Sequence, residues 1–160
     1  MIPIKKICCP TDFSEPSYEA LKIACEVALH FSADLILVHV VTPIPVIPIH
    51  DDPTSFNLPL YEKEMETNAG IVLGQIQKER IPAGVQSRTV VIQGDPANQI
   101  VQLAEEELAD MIVIATHGFT GWKKFMFGSV TEKVIRYADC PVLSIRAPKN
   151  EGEEETEASG

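Results

Sequence analysis

Leu35-Ile36-Leu37-Val38-His39-Val40-Val41 is a nearly unbroken apolar run with one histidine in it. A strand of that composition is covered on both faces, which is the situation inside a parallel sheet. Parallel neighbours need helical crossovers, and the rest of the chain supplies them. Residues 4–9 read as a first strand ended by Pro10. A helix is expected to begin near Ser14, with Glu15 and Pro16 in its first turn and Leu21, Ala24, Cys25 and Ala28 on one face.

Residues 42–60 contain five prolines and read as a long loop. The second helix carries Met65, Ala69, Val72 and Ile76 on its inner stripe and is weakened by Gly70 and Gly74. Residues 85–92 are the third strand. Gly94-Asp95-Pro96 turns the chain into a third helix, with Ile100, Leu103, Ala104 and Leu108 facing inward. Met111 to Ile114 is the fourth strand, Ser129 to Ala138 the last helix, and Val142-Leu143-Ser144-Ile145-Arg146 the fifth strand. This alternation predicts an α/β fold: a five-stranded parallel sheet with helices on both faces, a Rossmann-like sandwich with right-handed crossovers.

At 160 residues the chain fits one domain, expected over residues 1–147, followed by a disordered acidic tail over 148–160. The formal charge of −10 argues against nucleic acid as a partner, since phosphate backbones are bound by clustered Lys and Arg. The apolar runs are too short to span a membrane, and the start lacks the apolar core of a secretion signal. A cytoplasmic protein is expected. Cys8, Cys9, Cys25 and Cys140 form no C-x-x-C pair and read as buried reduced thiols, with Cys8 and Cys9 on opposite faces of a strand. His50-Asp51-Asp52 has no ligand set of recognised spacing around it, so no metal site is assigned.

Ligands of such sheets lie beyond the carboxyl ends of the strands, where the strand order reverses. The loops after the first and fourth strands, Pro10-Thr11-Asp12-Phe13-Ser14 and Ala115-Thr116-His117-Gly118, are then the walls of the expected site. The stretch from Ile112 to Gly118, followed by Gly128-Ser129-Val130-Thr131-Glu132, is a strand, a glycine turn, a loop and a helix start. That order can cradle a phosphate, because glycine permits close backbone approach and a helix start offers unpaired N–H groups. Ser129-x-x-Glu132 is equally a capping box. Asp12 is suited to a ribose hydroxyl or an adenine amine, or to building a turn. No G-x-x-x-x-G-K-[ST], G-x-G-x-x-G or G-x-S-x-G occurs.

Taken in order, Ile7-Cys8-Cys9-Pro10-Thr11-Asp12-Phe13-Ser14, Leu37-Val38-His39-Val40, Thr116-His117-Gly118, Gly128-Ser129-Val130-Thr131-Glu132 and Cys140-Pro141-Val142-Leu143 resemble the universal stress protein family over about residues 3–147. The resemblance implies an adenine nucleotide alpha-hydrolase-like sandwich. It is nearest to the ATP-binding branch, whose frame is Gly, two residues, Gly, nine residues, then Gly-Ser or Gly-Thr; here Ala115 replaces the first glycine. By that resemblance Pro10, Thr11, Asp12 and Val40 line an adenosine pocket. Ala115, Thr116, His117 and Gly118 lie under the ribose and first phosphates, and Gly128, Ser129, Val130 and Thr131 hold the phosphate tail. Lys123 and Lys124 either screen phosphate or are solvated surface charges. Trp122, Phe125, Met126 and Phe127 are expected to anchor the intervening loop.

The implied cofactor is ATP with Mg²⁺, with ADP, AMP and cyclic AMP sharing the adenosine half, and the implied partner is a second copy joined through the last strand. The leading functional reading is a nucleotide-dependent signalling or interaction module of the stress response, with no residue assigned to catalysis. A slow ATPase or phosphotransferase is the alternative enzyme, and a ligand-free interaction protein the alternative binder.

Overall fold

Five parallel strands form a single sheet in the order β3-β2-β1-β4-β5 in the computed structural model, which describes residues 3–45, 57–117 and 127–146. Along the chain the elements are β1 (Lys6–Pro10), α1 (Glu15–Phe31), β2 (Asp34–Val41), α2 (Leu58–Arg80), β3 (Ser87–Gln93), α3 (Pro96–Glu106), β4 (Met111–Ala115), α4 (Ser129–Tyr137) and β5 (Val142–Ile145). The expected α/β sandwich is therefore the observed fold.

Side-chain alternation along the strands divides the core in two. Ile7, Cys9, Leu35, Leu37 and Val113 face α1 and α2, meeting Leu21, Ala24, Cys25, Leu73 and Ile76. Cys8, Ile36, Val38, Ile112 and Ile114 face α3 and α4, meeting Ala97, Ile100, Leu103 and Val134. The two adjacent cysteines thus point to opposite layers. All four cysteines are unpaired thiols; Cys8, Cys9 and Cys25 are buried as expected, whereas Cys140, just ahead of β5, is only half-buried.

Helix starts follow their local chemistry. Ser14 caps α1 by accepting from the Ser17 N–H. Asn57 caps α2 through the Leu60 N–H, with Pro59 in the first turn. That helix therefore begins inside the segment expected to be loop, and Leu73, fully buried, joins its inner stripe while Met65 and Val72 are only half-buried. Asp95 caps α3 through the Asn98 N–H. The preceding Gly94 has φ +147, and a Cβ there would sit 2.9 Å from the Gln99 side chain, so glycine is required on two counts.

Several element boundaries differ from expectation by one or two residues, and one side chain does too; β4 runs on to Ala115 and α4 stops at Tyr137. The N–H groups of Lys5 and Lys6 bond the Asp110 carboxylate, so β1 starts at Lys6 and not at residue 4. Val85 lies in a turn, its N–H bonded to the Pro82 carbonyl, which delays β3 to Ser87. Strand β5 ends at Ile145, one residue before Arg146. Leu108 does not face inward but is 81% exposed with φ +53. The helical period continues through Leu108, but the helix does not: the Ala109 N–H bonds the Ala104 carbonyl and the Leu108 N–H bonds that of Glu105. This is a Schellman ending, with leucine in the left-handed position that glycine usually takes.

Candidate functional site

All strand C-termini point the same way in a parallel sheet, and here the order reverses between β1 and β4. These two strands pair only at Ile7 with Met111 and at Cys8 with Ile112. Beyond that point they part, and a cleft of about 480 Å³ opens at their carboxyl ends. A crevice at the reversal of strand order is where such sheets bind ligands. A smaller cavity of about 180 Å³, lined by Leu108, Ala138 and Cys140 among others, lies near the opposite end of the strands.

The cleft gathers ten of the twelve residues singled out from sequence. Pro10, Thr11, Asp12 and Val40 line it from β1 and β2, and Ala115 and His117 from β4. Gly128, Ser129, Val130 and Thr131 line it from the start of α4. Thr116 is buried beside the cleft and does not line it. Gly118 lies outside the described residues, as do Lys123, Lys124, Trp122, Phe125 and Met126; Phe127 is described and is half exposed. The acidic tail and residues 46–56 of the proline-rich segment are also outside them. The structure adds His39, Met65, Pro96 and Ile100 to the walls. Of these only His39 had a sequence signal, as the one polar residue in an apolar strand.

On the β1 side the turn is built from its own side chains. Thr11 Oγ1 accepts the Phe13 N–H at 3.1 Å, and Asp12 Oδ1 accepts the Ser14 N–H at 3.0 Å and also the Ser14 hydroxyl. The Ser17 hydroxyl donates to the Ser14 carbonyl at 2.7 Å, which leaves Thr11 as the donor in its 2.8 Å bond to Ser17. The Thr11 hydroxyl is therefore engaged within the turn in both directions. Asp12 is exposed, and its second carboxylate oxygen has no partner among the described residues.

The α4 side differs from the sequence expectation in two ways. The N-cap is Gly128, with no side-chain cap, so Ser129 opens the helix proper and the capping box does not form. The cause is a contact distant in sequence: the Gly128 N–H bonds the Thr116 carbonyl at 2.8 Å and fixes the register of the helix start. Gly128 itself has φ −57, which any residue can adopt. Thr131 is held inward, its hydroxyl donating to the Ala115 carbonyl at 2.7 Å. What remains toward the cleft is the exposed Ser129 hydroxyl and the N–H groups of Ser129, Val130 and Thr131, which precede the first intrahelical bond, from Glu132 to Gly128. These three N–H groups have no partner among the described residues. Unpaired donors at the positive end of a helix dipole attract an anion.

Beneath the cleft the chemistry is quiet. Burial pushes the Cys8 thiol up to about 12 and that of Cys9 well above its ordinary value. Neither is a nucleophile near neutral pH. His117 Nδ1 is 2.9 Å from Thr116 Oγ1, so one of its ring nitrogens is engaged next to the strand end. Among the described residues no helix is long and apolar enough to cross a membrane.

The universal stress protein family model matches residues 3–146. The chain belongs to the universal stress protein family. It is 37% identical over 147 residues to universal stress protein MJ0531 of Methanocaldococcus jannaschii, covering 92% of this chain and 85% of that one. The solved structure of MJ0577 from the same organism superposes with a TM-score of 0.75 at 30% identity, covering 93% of this chain and 100% of that chain. Two further solved structures share the fold. A universal stress protein in complex with cAMP has a TM-score of 0.60 at 22% identity, covering 91% of this chain and 99% of the other. One from Archaeoglobus fulgidus in complex with dAMP has a TM-score of 0.56 at 23% identity, with the same two coverages of 91% and 99%.

This universal stress protein departs from the glycine frame at Ala115. The described non-glycine residues with positive φ are Phe13, Ser32 and Leu108, so Ala115 adopts a conformation that alanine tolerates.

Proposed function

We propose that this universal stress protein binds an adenine nucleotide, ATP with Mg²⁺, in the cleft between β1 and β4, and acts in the cytoplasm as a nucleotide-dependent signalling or interaction module of the stress response. The observation that carries the reading is the convergence on one cleft of an exposed carboxylate, Asp12, and three unpaired N–H groups at Ser129, Val130 and Thr131. The two ends recognise opposite chemistries. A carboxylate accepts from ribose hydroxyls or an adenine amine, while a helix start donates to phosphate. A volume of about 480 Å³ lies within the ordinary range of small-molecule sites.

In this reading Pro10, Thr11, Asp12 and Val40 surround the adenosine. Ala115 and His117 lie under the ribose and first phosphates, and Ser129 to Thr131 take the phosphate tail. Gly128, its N–H already bonded, contributes space and not a donor. Mg²⁺ enters with the phosphates, as it usually does, keeping several waters. The relatives solved with cAMP and dAMP support an adenine nucleotide of some kind, and the helix start supports one with a phosphate chain. Mass spectrometry of the purified protein, gently denatured, tests the reading: a co-purified adenine nucleotide is expected. A protein that carries none and shows no calorimetric signal with ATP, ADP or AMP contradicts it.

The same reading includes a homodimer paired through β5. This strand is at the sheet edge, its four residues are all half-buried, and it carries no proline, so it offers a row of backbone groups to a second copy.

A further inference from the structure

We infer that His39 is a positioning residue of the cleft, holding the β1–α1 turn so that Asp12 is presented to the nucleotide; the inference rests on the nucleotide reading above. Three observations bear on it. His39 Nδ1 lies 2.8 Å from the Thr11 carbonyl oxygen. The His39 ring stacks on Phe13, centroids 4.1 Å apart and planes 20° apart. Phe13 has φ +66, a left-handed conformation that bulky side chains avoid. Asp12 sits between the two residues that His39 grips.

The turn thus needs support from outside itself. Left-handed backbone at an aromatic residue persists only when its surroundings over-determine it. The side-chain bonds of Thr11 and Asp12 define the turn locally, but they involve neither the Phe13 ring nor the Thr11 carbonyl. Both of those are held by His39 from the next strand. A carbonyl can only accept, so Nδ1 carries the proton, and the neutral ring is the Nδ1–H tautomer. The half-buried His39 also lines the cleft, so the support stands next to the group it positions.

A purely structural histidine would affect stability without affecting Asp12 in particular, and a double-mutant cycle separates the two. ATP with Mg²⁺ is titrated into wild type, His39→Phe, Asp12→Ala and the double variant, with folding checked by urea midpoints. His39→Phe keeps a stacking ring and removes the donor. It is expected to weaken binding by about fivefold or more, the scale of one ordinary hydrogen bond. In the Asp12→Ala background the same change is expected to cost less than about twofold, because the group it positions is gone. His39→Asn, whose amide can donate to Thr11, is expected to recover most of the affinity.

An equal loss in both backgrounds overturns the inference, as does unchanged affinity in folded His39→Phe, or His39→Asn behaving like His39→Phe. On the wild-type protein, ring ¹⁵N shifts should report the Nδ1–H tautomer; the Nε2–H tautomer overturns the inference with no variant and no ligand. Wild type that binds no adenine nucleotide at all overturns the nucleotide reading instead, and the role of His39 toward a ligand with it.

Discussion

Thr131 donates its hydroxyl to the carbonyl of Ala115 at 2.7 Å and so fastens the start of α4 to the end of β4. That carbonyl lies beyond Ile112, the last β4 residue that pairs with β1, and Thr131 supplies the partner that β1 does not. The bond sets where the helix start stands relative to the cleft. Thr131→Val keeps the volume and removes the donor. It is expected to lower stability by about 1–3 kcal/mol, the cost of a buried acceptor left unpaired, and to weaken nucleotide binding as the helix start loosens. Urea denaturation with calorimetry on the same sample checks both effects. Unchanged stability would show that water replaces the hydroxyl.

Leu108 occupies a left-handed position with its side chain 81% exposed, so little packing depends on it. Leu108→Gly is expected to raise the unfolding free energy by about 1 kcal/mol, since glycine takes that conformation without strain. A chemical denaturation midpoint that falls in the variant would contradict the Schellman reading of this helix end.

The raised thiols make stability fall at alkaline pH. Burial raises Cys8 to about 12 and Cys25 to about 11 from an ordinary 9.0, and raises Cys9 and Cys140 as well. A thiol is neutral when protonated, so a raised folded-state value means that the unfolded chain loses these protons first. Stability is therefore intact below about pH 9 and declines above it, toward the folded-state values. Denaturation midpoints should fall as the pH rises from about 8.5 to 10.5, and less steeply in Cys25→Ala. A midpoint flat across that range would mean that the thiols titrate in the folded protein as they do in water.

The dimer has its own test at β5. The Ile112 N–H bonds the Pro141 carbonyl and the Thr116 N–H bonds that of Ile145. In a parallel ladder this turns the N–H groups of Leu143 and Ile145 toward β4 and those of Val142 and Ser144 toward the open edge. Ser144→Pro is therefore expected to leave the sheet intact and give a monomer, whereas Leu143→Pro breaks the fold. Sedimentation at micromolar concentration decides this. A wild-type monomer removes the dimer, and a dimeric Ser144→Pro moves it to another surface.

How much of this was legible in the sequence depends on the range of the forces involved. The nearly unbroken apolar run from Leu35 to Val41 announces a two-faced parallel strand, and the paired cores on either side of the sheet follow from alternation alone. The ends of elements were less visible. The start of β1 is set by Asp110, more than a hundred residues away, and the end of α3 by backbone bonds that the apolar period at Leu108 does not encode. The site shows the same division. Pro10 to Asp12 and Gly128 to Thr131 were readable as a turn and a helix start. Which of their polar atoms remain open was not: the Gly128 N–H and the Thr131 hydroxyl are engaged by partners that only the fold brings near, and the Thr11 hydroxyl by Phe13 and Ser17 of its own turn. The Ser129-x-x-Glu132 pattern resembles a cap, yet the bond from Gly128 to Thr116 moves the cap back by one residue.

The central claim, that the start of α4 holds a phosphate chain, is most directly tested by calorimetry of ATP with Mg²⁺ on wild type and Ser129→Pro. Proline at this first helical position removes one of the three unpaired N–H groups and the serine hydroxyl, while no intrahelical bond is lost. Gly128, at φ −57 and ψ 151, already has the conformation that precedes a proline. The variant is therefore expected to fold with equal or slightly higher stability and to lose about a hundredfold or more in ATP affinity, the scale of two hydrogen bonds to a charged group. Wild-type affinity in a folded Ser129→Pro would contradict the account and leave the α4 start as a helix end without a ligand.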